Sequence, residues 1–334
     1  MIKLLEELSS CFGPSGWEDK VREYLLNKVT PYGDEILVDK LGNLHVLKKG
    51  RKTPKKPVVL TAYMDEPGFM IKDVTREGMI KFGLMGGTDV RSILGKTVLV
   101  GENAYQGVVG RKPIHLTTPE ERKTMPGAGE LYIDIGADDR AMSIIRVGKG
   151  DCGVFGGSIR RLGQHQILCK ALGRAVSCGV LLKLMEEELP VDTWFVFTTA
   201  KLVGNRGAYG AAYVRNAGVS IHVDVCPGEA SGEAMPRISG GPVVPAMDKG
   251  TVYDDLLRKT MIAAAKAENC KLQPWAELPV KGQGGVFREK GAKALSLCCP
   301  VKYLTAPCQA ADLRDVEIMP GLLKNFLAEM EETE

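Results

Sequence analysis

From Pro67 to Gly157 the chain reads as short apolar runs, "GMIKFGLMG", "GKTVLVG", "QGVVG", "LYIDIG" and "DCGVFG", with glycine returning about every 8 to 12 residues. On either side the texture is different, with longer segments of helical spacing alternating with compact β-rich runs. A uniform doubly wound sheet cannot produce such a break. The pattern predicts an α/β domain formed by residues 1–66 and 158–334, interrupted at 67–157 by a small β-barrel or sandwich.

Residues 2–9 and 18–30 have helical spacing, separated by "GPSG", where Ser15 is placed to cap the second helix. "DEILVDKLGNLHVLKKG" predicts a hairpin turning at "LGN", and "KPVVLTAYM" is a continuous apolar run of the kind found in a strand covered on both faces. Beyond the interruption the spacing predicts helices over 166–188, 206–216, 252–268 and 312–331. Strands are expected at "TWFVFTTA", "VSIHVDV" and "AKALSLCC". "SGGPVV" and "GQGGVF" lack the spacing of a phosphate-binding loop and are expected to be turns.

The 334 residues carry 44 basic and 41 acidic side chains spread along the chain, for a net charge of +3, too even for a nucleic-acid footprint. The one basic cluster, "KKGRKTPKK", falls between two strand-like segments and reads as a solvated loop. No apolar run approaches a membrane span, and the N-terminus makes a poor signal peptide, so a cytoplasmic location is expected. Nine cysteines, an odd number without a CxxC pair, suggest reduced and mostly buried thiols.

"TAYMDEPGFM" runs from a buried strand into an acidic turn, the setting of many metal sites, yet Tyr63 stands two residues before Asp65 where an imidazole would serve as ligand. Other unusual stretches accompany it in order: "GPSGWE", "DKLGNL", "GRKPIHLTTPEER", "IDIGA", "KAL", "GNRGA", "VDV" and "PVKYLTAP". Together they resemble the tetrahedral-assembly aminopeptidases, the glutamyl and deblocking family that also carries cellulase or endoglucanase labels. The resemblance covers nearly the whole chain. It implies a zinc-aminopeptidase-like fold, a mixed, parallel-rich sheet flanked by helices, with the inserted barrel used for dimerisation and dimers commonly closing into dodecameric shells. Active members hold two divalent metals, usually zinc or cobalt, that activate water against the first peptide bond.

Carried over residue by residue, the resemblance places the first histidine ligand on Tyr63 and the orienting aspartate on Asp65. The bridging aspartate falls on Gly173 in "KALGRA", and no aspartate occurs from 158 to 191 to replace it. The glutamate pair that supplies the general base and a ligand falls on Lys201 and Leu202. The strand aspartate ligand is kept as Asp224, and the last histidine falls on Thr305, with no histidine after His222. Asp65, Lys201 and Asp224 sum to −1, the formal charge that five carboxylates around two divalent cations would have. Lys201 is therefore expected to replace the metals as the charge partner of both Asp65 and Asp224.

On this reading no cofactor is expected, and the protein is a non-catalytic homologue. It would act by self-association, by joining an active paralogue, or by holding a peptide in the old pocket, with no nucleic-acid or membrane partner. The alternative is an active aminopeptidase with an altered metal site. His222, Asp224 and Cys226 alternate on one strand face, and with Cys308 they could form a relocated mononuclear site, although a buried hydrogen-bonded histidine and an inert thiol are the simpler reading. Cys169 and Cys178 read as core residues. His165 reads as a surface or capping residue.

Overall fold

The computed structural model describes residues 1–230, 233–267 and 269–333, the side chains of 331–333 excepted. Helices α1 (Ile2–Ser10) and α2 (Asp19–Val29) lead into the antiparallel hairpin β1 (Glu35–Val38) and β2 (Leu44–Lys48) and then into β3 (Val58–Tyr63). All six residues of β3 are buried, as expected of a strand covered on both faces.

From β3 the chain enters six strands: β4 (Gly68–Val74), β5 (Ile80–Met85), β6 (Thr97–Val100), β7 (Tyr105–Arg111), β8 (Leu131–Asp134) and β9 (Cys152–Phe155). They close into a barrel in the order β4-β5-β8-β7-β6-β9, with helix α3 (Arg140–Arg146) outside it. Closure removes the exposed edges that glycine-broken strands would otherwise present. Phe69 fills the barrel's centre edge-on to Phe82 and Phe155, with centroids 5.6 and 6.0 Å apart.

The chain then forms β10 (Arg160–Leu162), β11 (Gln166–Lys170) and helix α4 (Leu172–Met185). The helix expected over 166–188 is thus shorter, because residues 166–170 pair as a strand with distant β17 (Cys308–Asp312), a partner that local spacing does not reveal. Helix α4 is buried on nearly every side and carries no strong polar face, as befits a helix inside the core.

The remaining elements are β12 (Thr193–Thr198), α5 (Arg206–Arg215), β13 (Val219–Pro227), β14 (Val243–Asp248), α6 (Asp255–Ala267), β15 (Gln273–Leu278), α7 (Gly284–Glu289), β16 (Lys293–Val301) and α8 (Leu313–Thr333). Two expected turns are corrected here. The end of "SGGPVV" begins β14, and "GQGGVF" leads into α7, whose buried face packs on β13 and β16.

The main sheet is mixed, in the order β1-β2-β12-β3-β13-β16-β14-β15, with β12, β3, β13 and β16 parallel. Strands β12 and β13 flank β3 on opposite sides, so a crevice opens at the carboxyl end of β3, where ligands bind in open α/β sheets. The barrel departs from that same end, and the amide of Asp89 in its β5–β6 connection donates to the Thr305 carbonyl at 2.8 Å.

Candidate functional site

The crevice holds a cavity of about 400 Å³ whose lining includes Tyr63, Asp65, Gly173, Lys201, Leu202, Asp224 and Thr305, all the positions singled out from sequence. Tyr63 ends β3, Asp65 follows it, Gly173 lies in the first turn of α4, Lys201 and Leu202 follow β12, and Asp224 lies near the end of β13. Two of the turns that deliver these residues pass through left-handed alanines, Ala171 at φ +49° and Ala200 at φ +51°. Such backbone persists only where its surroundings hold it.

Tyr63 and Gly173 are fitted to each other. A Cβ at position 173 would lie 2.0 Å from the Tyr63 hydroxyl oxygen, so the tyrosine ring fills the space where a side chain on α4 would begin. Burial first, then the nearby charges of Asp224 and Asp65, raise the phenol well above its ordinary range, and it stays protonated. The Lys201 ammonium lies over the ring face, 4.0 Å from its centroid, and 2.9 Å from both carboxylate oxygens of Asp224. The Val225 amide also donates to Asp224 Oδ1, at 2.8 Å.

The expectation that Lys201 pairs with both carboxylates is corrected for Asp65. That carboxylate is fully buried and accepts from the Ser15 hydroxyl at 2.7 Å and from the backbone amides of Leu202 and Lys201 at 2.9 and 3.1 Å. Lys201 thus reaches Asp224 with its ammonium but Asp65 with its amide. Burial raises the Asp65 carboxyl above its usual range, and the Ser15 and Leu202 hydrogen bonds oppose that rise. Ser15 is consequently no helix cap. Glu18 precedes α2 without a side-chain capping bond, and its own carboxylate accepts from the Ala200 amide at 2.8 Å.

Glu66, which does not itself line the cavity, pairs with Lys170 at 2.9 Å and with the lining residue Arg174 at 3.2 Å, all three buried. Arg174 also donates to the carbonyls of Leu8, Ser9, Cys11, Gly13 and Met64. Sequence reasoning quoted "KAL" and "MDEP" but gave no role to Glu66, Lys170 or Arg174. It also passed over Asn205 inside "GNRGA", and Thr88 and Lys281, which the fold brings to the cavity from distant segments.

The relocated site is not assembled. His222 bonds Thr61 Oγ1 through Nδ1 at 2.7 Å and Ser220 Oγ through Nε2 at 3.1 Å, and burial pushes it down to about 3, so it is neutral. Cys226 packs among Val243, Leu278 and Cys298, and Cys308 lies near Gly157. Cys178 and Cys169 are core thiols, raised by burial to about 12 and about 11. His165 is exposed, its carbonyl accepting from the Leu313 amide.

The donor set at the crevice does not fit a two-metal centre. Of the seven positions only Asp65 and Asp224 offer strong ligands. The first has its oxygens taken by three donors, and the second faces an ammonium that would repel a divalent cation. Among the described residues no group of three or more His, Cys, Asp and Glu side chains is arranged to hold a metal ion.

The fold is thus a mixed α/β sheet with a closed six-stranded barrel inserted after its central strand β3. Residues 42–322 match the family described as M42 glutamyl aminopeptidase, and the chain belongs to that family. It is 30% identical over 334 residues to an Acetivibrio thermocellus protein provisionally named an aminopeptidase, covering 97% of each chain. It is 26% identical to the lysyl aminopeptidase of Pyrococcus furiosus, covering 98% of this chain and 97% of that one. Among solved structures, it is similar to the Pyrococcus horikoshii TET1 peptidase, which can assemble into a tetrahedron or a large octahedral shell. The TM-score is 0.88 and the identity 26%, with 97% of this chain and 98% of that one covered.

Proposed function

We propose that this chain is a non-catalytic member of the aminopeptidase family, which keeps the fold and the peptide pocket but has exchanged the dinuclear metal site for an internal ion pair. One observation carries the reading. Tyr63 fills the space of a side chain at position 173 while the Lys201 ammonium sits against Asp224, so two former ligand positions and the general-base position form one packed cluster. Asp65 and Asp224 then act as structural acceptors, Lys201 as the neutralising neighbour of Asp224, and Leu202 and Thr305 as cavity wall. Fold alone does not confer activity, which lives in the site.

The same proposal divides the chain into an α/β part, 1–66 and 158–334, and a barrel part, 67–157, through which copies associate in the cytoplasm. Ile114, Leu116 and Ile145 lie on the barrel part and are 68, 59 and 84% exposed, which leaves large apolar side chains available to such an association. Among the described residues no helix is long and apolar enough to cross a membrane.

The test is protein purified without chelators and then incubated with zinc or cobalt. Elemental analysis is expected to find well under one tightly held metal per chain, with no turnover of aminoacyl anilides. Light scattering is expected to show an assembly larger than the monomer. Two bound metals per chain, or turnover, would overturn the reading.

A further inference from the structure

His45 is fully buried on β2, away from the crevice, and both of its ring nitrogens are committed to charged partners. Nε2 lies 3.0 Å from Asp39 Oδ2, and the Arg215 Nε–H donates to Nδ1 at 3.1 Å. A carboxylate only accepts and a guanidinium only donates, so the two contacts fix one tautomer, a neutral ring with its hydrogen on Nε2. Arg215, the last residue of α5, also lays its guanidinium over the Trp194 ring, 3.5 Å from the ring centroid.

Asp39 is the hub of a longer chain of contacts. Its Oδ1 accepts from the amides of Leu41 and Asn43 at 2.9 and 3.0 Å, which closes the turn between β1 and β2. Its Oδ2, shared with His45, also accepts from Asn43 Nδ2 at 2.7 Å. Asn43, fully buried, carries the connection onward: Nδ2 donates to the Gly207 carbonyl at 3.0 Å, and Oδ1 accepts from the Thr199 amide at 2.9 Å. A Cβ at position 207 would lie 2.4 Å from Asn43 Oδ1, so this approach requires glycine. Thr199 leads into left-handed Ala200 and then Lys201 and Leu202, whose amides hold Asp65. The His45 ring is thus joined, through two side chains, to the segment that borders the crevice.

The charges around the ring come from two of the three elements beside it. Asp39 follows β1, which also carries Glu35, and α5 brings Arg215, while β12 brings only Val196 and Trp194. Burial lowers His45 below its ordinary range, the Asp39 hydrogen bond opposes that, and the Arg215 charge adds to it. Nε2 already holds a hydrogen, so a second proton goes to Nδ1. That turns the acceptor facing Arg215 into a donor and sets an imidazolium against a guanidinium. Both products have somewhere to go. Asp39 is in place to pair with the imidazolium, and the charges of Glu35 and Asp39 both attract Arg215. A surface cleft bordered by Asp39, Thr199 and Gly207 brings solvent to the edge of the network.

We infer that His45 is a proton-operated latch: neutral, it clamps Arg215 onto Trp194, and doubly protonated it releases Arg215 and draws Asp39 Oδ2 away from Asn43, loosening the 199–202 segment. The proton comes from solvent, and no other bond is made or broken.

The experiment titrates the full-length protein from about pH 8 to about pH 4.5, across and below the ordinary histidine range. Nitrogen NMR of protein labelled in its histidines is expected to show one ring, absent from His45→Gln, with its hydrogen on Nε2 at the start. That ring gains a hydrogen on Nδ1 in a single step below about pH 6.5. Trp194 emission, taken as the difference between wild type and Trp194→Phe, is expected to change in the same step. Arg215→Met removes the opposing charge and is expected to raise the midpoint by about half a pH unit or more, a shift that a purely packing role would not produce. Hydrogen exchange of residues 199–202, corrected for its intrinsic pH dependence, is expected to quicken about fivefold or more through the step. A His45 ring that stays neutral throughout, flat Trp194 emission, a midpoint not raised in Arg215→Met, or equal protection of 199–202 on both sides of the step overturns the inference. Where His45→Gln fails to fold, the midpoint shift in Arg215→Met assigns the ring instead. None of these readouts depends on turnover or on metal, so their failure leaves the non-catalytic reading untouched.

Discussion

Asp65 and Glu66 are consecutive and both buried, yet each belongs to a different electrostatic design. Glu66 turns away from the cavity toward two cations, Lys170 and Arg174, and Arg174 in turn gathers five carbonyls from α1 and its neighbouring turns. Asp65 lines the cavity and accepts from a hydroxyl and two backbone amides, while the ammonium of Lys201 is engaged with Asp224. The first cluster is buried from solvent, meets the cavity only through Arg174, and ties three chain segments together. The second borders open volume. A buried charge can be structural or available for function, and what decides is whether its partners are exhausted inside the protein.

Neutralising Glu66 should show the larger effect. Glu66→Gln leaves Lys170 and Arg174 without their carboxylate and is expected to cost about 3–5 kcal/mol in urea unfolding. A loss below 1 kcal/mol would erase the distinction between the two clusters. Lys201→Met removes the cation from a pair that is less enclosed, side chains 13 and 8% exposed, and about 2 kcal/mol is expected. Adding Asp224→Asn should recover most of that loss, because a neutral pair needs no cation. No recovery would show that Lys201 acts through packing on Tyr63 instead.

Gly173→Ala comes next, at about 1–3 kcal/mol for forcing a methyl against the Tyr63 hydroxyl. In a double-mutant cycle Tyr63→Phe should relieve part of this, with a coupling of about 0.5 kcal/mol or more. Additivity would mean the two sites are not fitted to each other.

Ser15→Ala is the smallest, about 1 kcal/mol, and depends on pH. The folded Asp65 carboxyl is already raised by burial, so its contribution to stability declines as pH rises above the unfolded value. Ser15 donates to the ionised form, and without it the carboxyl rises further. The variant's deficit should therefore be larger at pH 8 than at pH 4. A deficit independent of pH would place Ser15 in packing alone.

The mixed α/β fold with a closed barrel was legible in the sequence, because glycine-punctuated short apolar runs differ from the longer helical and strand segments around them, and the barrel's strands run from Gly68 to Phe155. Strands with strong apolar runs, β3, β12, β13 and β16, were also legible. Strands β11 and β17 were not, since short strands that pair with each other across the chain give no local period. At the site, motif positions identified the seven replaced or retained residues, and the structure brings all seven to one cavity. Helix capping was the wrong use for Ser15. Its side chain turns to a carboxylate fifty residues away, and nothing in "GPSG" itself encodes that.

By itself the sequence determined the residue types available at the crevice: a tyrosine, a glycine, a lysine and two aspartates where the resemblance implies a larger donor set. Composition at fixed positions is a property of the chain. Only the tertiary structure decided how those residues answer one another. The Tyr63 ring enters the space left by Gly173, Lys201 divides its ammonium and its amide between two acids, and Asn205, Thr88 and Lys281 meet around the same volume. These are relations between segments up to about two hundred residues apart. They exist only when the sheet order places β12, β3 and β13 side by side and the barrel closes over their ends.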